Sequence, residues 1–236
     1  MSTLILARHG RTAANASGVL AGRTPGIGLD DTGRAQAHAA AERLAEVPLA
    51  LVVSSPLQRC RETAAVFARA HGGAARVRTD AGLNECDYGE WAGQKLGTLA
   101  RRKLWTTVQR QPSAARFPDG ESLQEMSARA VRAVRRRDAA VEDEHGAGAI
   151  WLAVTHGDII KAIVADALGM HLDEFQRIVV DPASLSIIRY TPERTFVLAT
   201  NSTAGSLAHL GVHGRPRGRR GDAAVGGGAG PASATS

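Results

Sequence analysis

Cysteine is nearly missing from this 236-residue chain, which has only Cys60 and Cys86. Two thiols build no disulfide framework and their spacing suggests no metal site, so a reduced, cytoplasmic setting is expected. Aromatic residues are also scarce, at 4%, and alanine takes up the missing bulk. The core must then come mostly from Leu, Ile, Val and Ala, which favours helices packed on a Val/Ile-rich sheet. Long hydrophobic runs are absent too. No segment approaches the roughly 20 apolar residues that span a bilayer. The opening MSTLILARHG lacks the basic start, apolar length and cleavage site of a secretion signal, so neither membrane insertion nor export is expected. Acidic residues are outnumbered, giving a formal charge of +6, but +3 of that lies in residues 214–236. The body is only mildly basic, so nucleic acid is not an expected partner.

What is present is an alternation of short apolar or β-branched runs with longer periodic segments, the pattern of strands and crossover helices in a mostly parallel sheet. The pattern predicts strands over 3–7, 49–53, 76–79, 150–154, 184–190 and 195–199, the last two as a hairpin across Pro192. It predicts helices over 32–47, from Pro56 onward, over 94–110, from Ser122 and after Gly157. Ser55 followed by Pro56 reads as an N-cap and first-turn proline. In the long segment from Ser122, the residues Leu123, Met126, Ala130, Val134 and Val141 fall on one stripe, leaving Arg132, Arg135, Arg136 and Arg137 for solvent. Residues 1–213 read as one α/β domain. The Gly/Arg-rich remainder, 214–236, has almost nothing to bury and is expected to be disordered.

The chemistry concentrates where strands are expected to end, the edge at which open α/β sheets bind ligands. ARHGRT, residues 7–12, closes the first strand. Arg8 offers a planar set of donors suited to phosphate, His9 a nitrogen nucleophile near neutrality, and Gly10 a sharp turn. Such a tripeptide also occurs in ordinary surface turns, and its weight comes from a second strand that ends alike, in Thr155, His156, Gly157 and Asp158. The helix that follows offers its first N–H groups to an anion. A third strand runs into Ser54 and Ser55, with Arg59 better placed than Arg61 to reach the same edge. The loop LNECDYGEWAG, 83–93, supplies carboxylates for proton transfer to a leaving alkoxide, and chemistry alone does not choose among Glu85, Asp87 and Glu90.

Together, ARHGRT with Asn15, SSPLQRCRET at 54–63, the arrangement of Glu85, Gly89, Trp91 and Gly93, and THGD at 155–158 resemble the histidine phosphatase superfamily, which includes cofactor-dependent phosphoglycerate mutase. The chain is most similar to actinobacterial phosphoglycerate-mutase-like phosphatases. The resemblance implies a three-layer α/β/α sandwich with a mostly parallel sheet. It implies that His9 is the nucleophile that becomes phosphohistidine, that Arg8, Arg59 and His156 form the phosphate pocket, and that Glu85 is the proton donor. Asn15 and the Gly157 backbone would complete the bonds to phosphoryl oxygens, with Thr12 in support. Arg11 and Cys60 depart from common family residues and make the entrance more basic.

The expected activity is metal- and cofactor-independent hydrolysis of a small phosphorylated metabolite, with a protonated His156 sharing the phosphoryl charge. A phosphomutase is the nearest rival; the run of prolines after the acid loop and the tryptophan-bearing start loop of phosphoglycerate mutases are missing. A phospholigand-binding module whose tail docks acidic partners is a rival of another class. Arg23, with Arg11, Lys95, Arg101 and Arg102, is expected to line a basic entrance for an anionic substrate. Cys60 and Cys86 adjoin Arg59 and Glu85, so a regulatory thiol beside the pocket is a further expectation. Oligomeric state stays open, a homodimer included.

Overall fold

Six strands pair in the order β3-β2-β4-β1-β5-β6: β1 Ser2–Arg8, β2 Leu49–Ser54, β3 Val77–Thr79, β4 Ile150–Thr155, β5 Leu185–Tyr190 and β6 Thr195–Ser202. A computed structural model describes residues 2–72, 77–205 and 207. Arg76, where the third strand was expected to begin, and the tail 214–236 lie outside the described residues. Strands β3, β2, β4 and β1 are mutually parallel, and β5 runs antiparallel to both β1 and β6. The β5–β6 pair is the hairpin expected across Pro192.

Both faces of the sheet are covered, which is why β1 and β4 read as unbroken apolar runs rather than as alternation. Leu4, Leu6, Trp151 and Ala153 pack with Met126, Ala130, Ile160 and Ile163 of α6 Leu123–His145 and α7 Gly157–Ala167. Ile5, Ala7, Leu152 and Val154 pack on the opposite face with Ala37, Ala40, Ala64 and Phe67 of α2 Asp31–Glu42 and α3 Gln58–Ala70. The short α1 Ala13–Ala16, α4 Leu96–Leu99 and α5 Lys103–Arg110 complete the helices near the carboxyl edge. The result is the expected three-layer α/β/α sandwich.

Several boundaries differ for physical reasons. Helix α2 stops at Glu42, where the Arg43 guanidinium turns to the carbonyls of Ser202, Ala204 and Gly205. Helix α3 starts at Gln58 with Leu57 as its N-cap, whose side chain has no acceptor; Ser55, the expected cap, lies outside the helix and accepts from the Leu57 N–H at 3.4 Å. The single helix expected over 94–110 is two helices broken at Arg102, whose backbone is extended (φ −82°, ψ 143°). Leu99 and Trp105 would point about 120° apart on one straight helix. The break lets Leu99 enter the core while Trp105 stacks on Trp91, with ring centroids 6.3 Å apart.

Helix α6 begins where expected, with a reciprocal capping box between Ser122 and Glu125. Ser122→Ala is expected to cost about 1 kcal/mol in urea unfolding, without moving the active-site residues. The apolar stripe is buried as expected, but Arg137 is not simply solvated. It donates to Asp80 at 3.0 Å, as Arg136 does at 2.9 Å. On the same helix Asp138 is buried and accepts from Trp151 Nε1 at 2.9 Å and from the Ser2 hydroxyl.

Candidate active site

Strands β1 and β4 lie side by side with Arg8 opposite Thr155, so each delivers a histidine at the same edge. The rings of His9 and His156 converge, with centroids 5.3 Å apart and planes at 65°. His9 is pinned by its backbone, its N–H donating to Thr155 and its carbonyl accepting from Ala183. Gly10 follows it, but not for a sharp turn: a Cβ there would lie 2.3 Å from the Gly33 carbonyl oxygen, so glycine is required by the close passage of α2.

His9 Nδ1 lies 2.7 Å from the Gly10 carbonyl oxygen, and Arg59 Nε donates to His9 Nε2 at 3.2 Å. A carbonyl only accepts and a guanidinium only donates, so the proton sits on Nδ1 and the lone pair on Nε2. The same logic orients His156. Arg59 Nη2 donates to its Nδ1 at 3.1 Å, leaving Nε2–H for Ser55 Oγ at 2.9 Å, and that hydroxyl donates to Asn84 Oδ1 at 3.1 Å.

Burial, then Arg59 and Arg8, hold His9 well below the usual imidazole range. His156 is lowered by burial and Arg59 first, with His9, Arg8 and Arg129 adding to the effect. Without a bound anion both rings are held toward the neutral form, while the expectation of a protonated His156 concerns the site with the phosphoryl group bound. Two guanidinium nitrogens beside them, Arg8 Nε and Arg59 Nη1, are buried without an acceptor, although Arg8 Nη1 donates to the Val180 carbonyl at 2.7 Å. Uncompensated donors of this kind are costly in a folded interior and mark a place built for an anion.

A cavity of about 310 Å³ is lined by Arg8, His9 and Arg59 together with Asn15, Glu85 and Gly157, while His156 is fully buried and not part of the lining. Asn15 Oδ1 accepts from the Thr12 backbone and hydroxyl, which leaves the Nδ2 end for a cavity guest. The three open carboxylates part company. Glu90 is exposed, Asp87 pairs with Arg23 at 3.2 Å, and Glu85 lies in the cavity, with Oε2 3.9 Å from His156 Nδ1. Glu85 is raised to about 7, first by burial and then by Asp158 nearby, against the opposing pull of Arg59. Among the described residues, no three His, Cys, Asp or Glu side chains form a group that would hold a metal ion, and no helix is long and apolar enough to cross a membrane.

The sequence pattern of the histidine phosphatase superfamily (branch 1) matches residues 4–203. The chain belongs to this superfamily. The bifunctional protein Rv2228c of Mycobacterium tuberculosis is 36% identical over 194 residues, covering 79% of this chain and 50% of the relative. The chain thus spans about half the length of that relative. The probable phosphoglycerate mutase GpmB of Yersinia pestis is 30% identical over 217 residues, covering 89% of this chain and 95% of the other. Among solved structures, the mycobacterial glucosyl-3-phosphoglycerate phosphatase Rv2419c in complex with VO3 matches with a TM-score of 0.76 at 25% identity, over 85% of this chain and 99% of that one.

Thr12, expected in support, and Arg23, expected at the entrance, both stand outside the cavity lining of this histidine phosphatase superfamily member. Thr12 is fully buried as the N-cap of α1 and does not line the cavity; it positions Asn15. Arg23 does not line it either. Its Nε donates to the Glu85 carbonyl at 2.9 Å, and its Nη2 to Glu121 Oε2 at 2.7 Å. Arg129 mirrors it, binding Glu121 and donating to the carbonyls of Gly82 and Asn84 at 2.9 Å. The two arginines clamp the acid loop around one carboxylate. Arg23→Ala is expected to lower kcat about tenfold while leaving KM within about twofold, because it frees Glu85 to wander; a raised KM at constant kcat would restore the substrate contact.

The basic entrance also dissolves. Arg11 is drawn to Asp30 at 2.9 Å, Arg102 bonds Gln94, and none of Arg11, Arg23, Lys95, Arg101 or Arg102 lines the cavity. Burial pushes the thiols of Cys60 and Cys86 up, and both are fully enclosed, which opposes a reactive thiolate at either. Sequence reasoning missed Glu121, Arg129, Tyr88 and Lys161. Tyr88 donates to Asp158 at 2.8 Å and Lys161 pairs with it at 3.5 Å. Only the position of Asp158 directly after His156-Gly157 hinted at this group.

Proposed function

We propose that this chain hydrolyses small phosphomonoesters through a phosphohistidine on His9, without metal ion or cofactor. The observation that carries the reading is the convergence of the His9 Nε2 lone pair, two acceptor-poor guanidiniums and a carboxyl raised to about 7 on one cavity. In the first step His9 Nε2 attacks phosphorus as the ester P–O bond breaks. Glu85 gives its proton to the departing oxygen, and Arg8, Arg59, Asn15 and the first N–H groups of α7 receive the phosphoryl oxygens. The arriving dianion offsets the guanidinium charge that keeps His156 neutral, so His156 takes up its proton with substrate. In the second step water attacks, Glu85 accepts its proton, the N–P bond breaks and His9 recovers its lone pair.

Likeness to the Yersinia protein favours a mutase as the second reading, in which the phosphoryl group returns to another hydroxyl. One experiment separates the two: phosphate release is measured beside isomerisation of 3-phosphoglycerate with added 2,3-bisphosphoglycerate. Hydrolysis with negligible isomerisation is the expected result. Efficient isomerisation without phosphate release would replace the phosphatase reading by the mutase.

A further inference from the structure

The half of the cavity that would hold the leaving group carries little free charge. Beyond the phosphate end its lining is dominated by Leu20, Leu96, Trp105, Val108 and Phe117. The cation on that side, Lys161, is already committed. Its Nζ sits 3.5 Å from Asp158 Oδ1, donates to Gln176 Oε1 at 2.9 Å and lies 5.7 Å from the centre of the Phe175 ring. A substrate carboxylate or second phosphate would have to be desolvated against apolar walls that, among the described residues, offer it no unpaired cation on that side, and that is unfavourable.

An uncharged apolar alcohol meets the opposite situation. Trp105 is half-buried, stacked at 20° on Trp91, and presents a flat wall to the cavity. Flat rings gain both buried area and aromatic contact against such a wall. The volume of about 310 Å³, which must also hold the phosphoryl group, limits the guest to about one or two rings. We infer that the preferred substrates are phosphomonoesters of uncharged, apolar alcohols, aromatic ones foremost, and that Trp105 sets this preference. The inference rests on the phosphatase reading above and narrows its substrate class.

The test compares kcat/KM by phosphate release for 1-naphthyl phosphate, 3-phosphoglycerate and glycerol 3-phosphate, in the unmodified chain and in Trp105→Ala. The expected result is a preference of about 100-fold or more for the naphthyl ester. Trp105→Ala is expected to lower that value at least about tenfold while leaving glycerol 3-phosphate within about twofold. Equal or better turnover of 3-phosphoglycerate overturns the substrate class and leaves the phosphatase reading standing. An unchanged naphthyl value in Trp105→Ala removes Trp105 as the determinant. Absence of phosphate release from all three esters sinks the phosphatase reading, and this inference with it.

Discussion

Replacing His9 by alanine is expected to lower turnover of any phosphomonoester by at least about 10⁴-fold, because His9 is the histidine that lines the cavity, whereas His156 is fully buried and its unprotonated Nδ1 is held by Arg59. Arg59 and Arg8 stay in place in such a variant, so inorganic phosphate is expected to bind still. The measurement is steady-state phosphate release together with alkaline-quench trapping of a phosphorylated enzyme, whose label is then lost in acid when the bond is to histidine. A His9→Ala protein that keeps even a tenth of its rate, or still traps the label, would place the nucleophile elsewhere.

Glu85→Gln is expected to lower kcat by about 10²- to 10⁴-fold with alkyl esters. Its first-step loss is expected to be far smaller with p-nitrophenyl phosphate, whose leaving oxygen needs no proton. The second step still lacks its base, so a burst of nitrophenol followed by slow turnover is the signature. A carboxyl raised to about 7 also dictates the pH profile. The phosphorylation rate should fall as pH rises through about 7, because the donor loses its proton. Asp158→Asn removes a neighbouring negative charge, lowers the affinity of Glu85 for its proton and moves that fall to lower pH. An unmoved profile in Asp158→Asn would separate the limb from Glu85.

Stability is expected to change in the opposite direction. The native carboxyl holds its proton more tightly than the unfolded chain, where Glu titrates near 4.3. This contribution is complete below that value and is lost as pH rises through about 7. Glu85→Gln should therefore unfold like the parent protein near pH 4 and be up to about 4 kcal/mol more stable at pH 8, as judged by urea titration, since one pH unit is worth 1.36 kcal/mol. A carboxyl raised in this way costs the fold stability above neutral pH.

The two histidine-bearing strand ends were legible because burial on both faces leaves runs such as Leu4–Ala7 without polar interruption, and a polar residue stands out where such a run stops. Arg59 was legible from its distance to the end of β2. Arg23 was misread because a guanidinium in a loop carries no sequence mark of what it faces; its partners Glu85, Asp87 and Glu121 are 62, 64 and 98 positions away. The pull on His156 toward the neutral form was not legible for a related reason. Burial and three arginines act on it in space, while its sequence neighbours are a threonine and a glycine. The break between α4 and α5 follows from where Leu99 and Trp105 must go, which residue propensities do not encode.

The register of β1 on β4 acts as a caliper for the reaction. Parallel backbone bonds, from Thr3 beside Ile150 to Arg8 beside Thr155, fix the gap between the two imidazoles in the least mobile part of the molecule. Helix α5, which carries Trp105 and buries only Val108, sits at the periphery. Hydrogen exchange should accordingly be slowest at the strand amides and fast along α5. Changes of substrate taste can then accumulate in the outer helix while the reactive pair keeps its spacing, a separation that lets one scaffold diversify without relearning its chemistry.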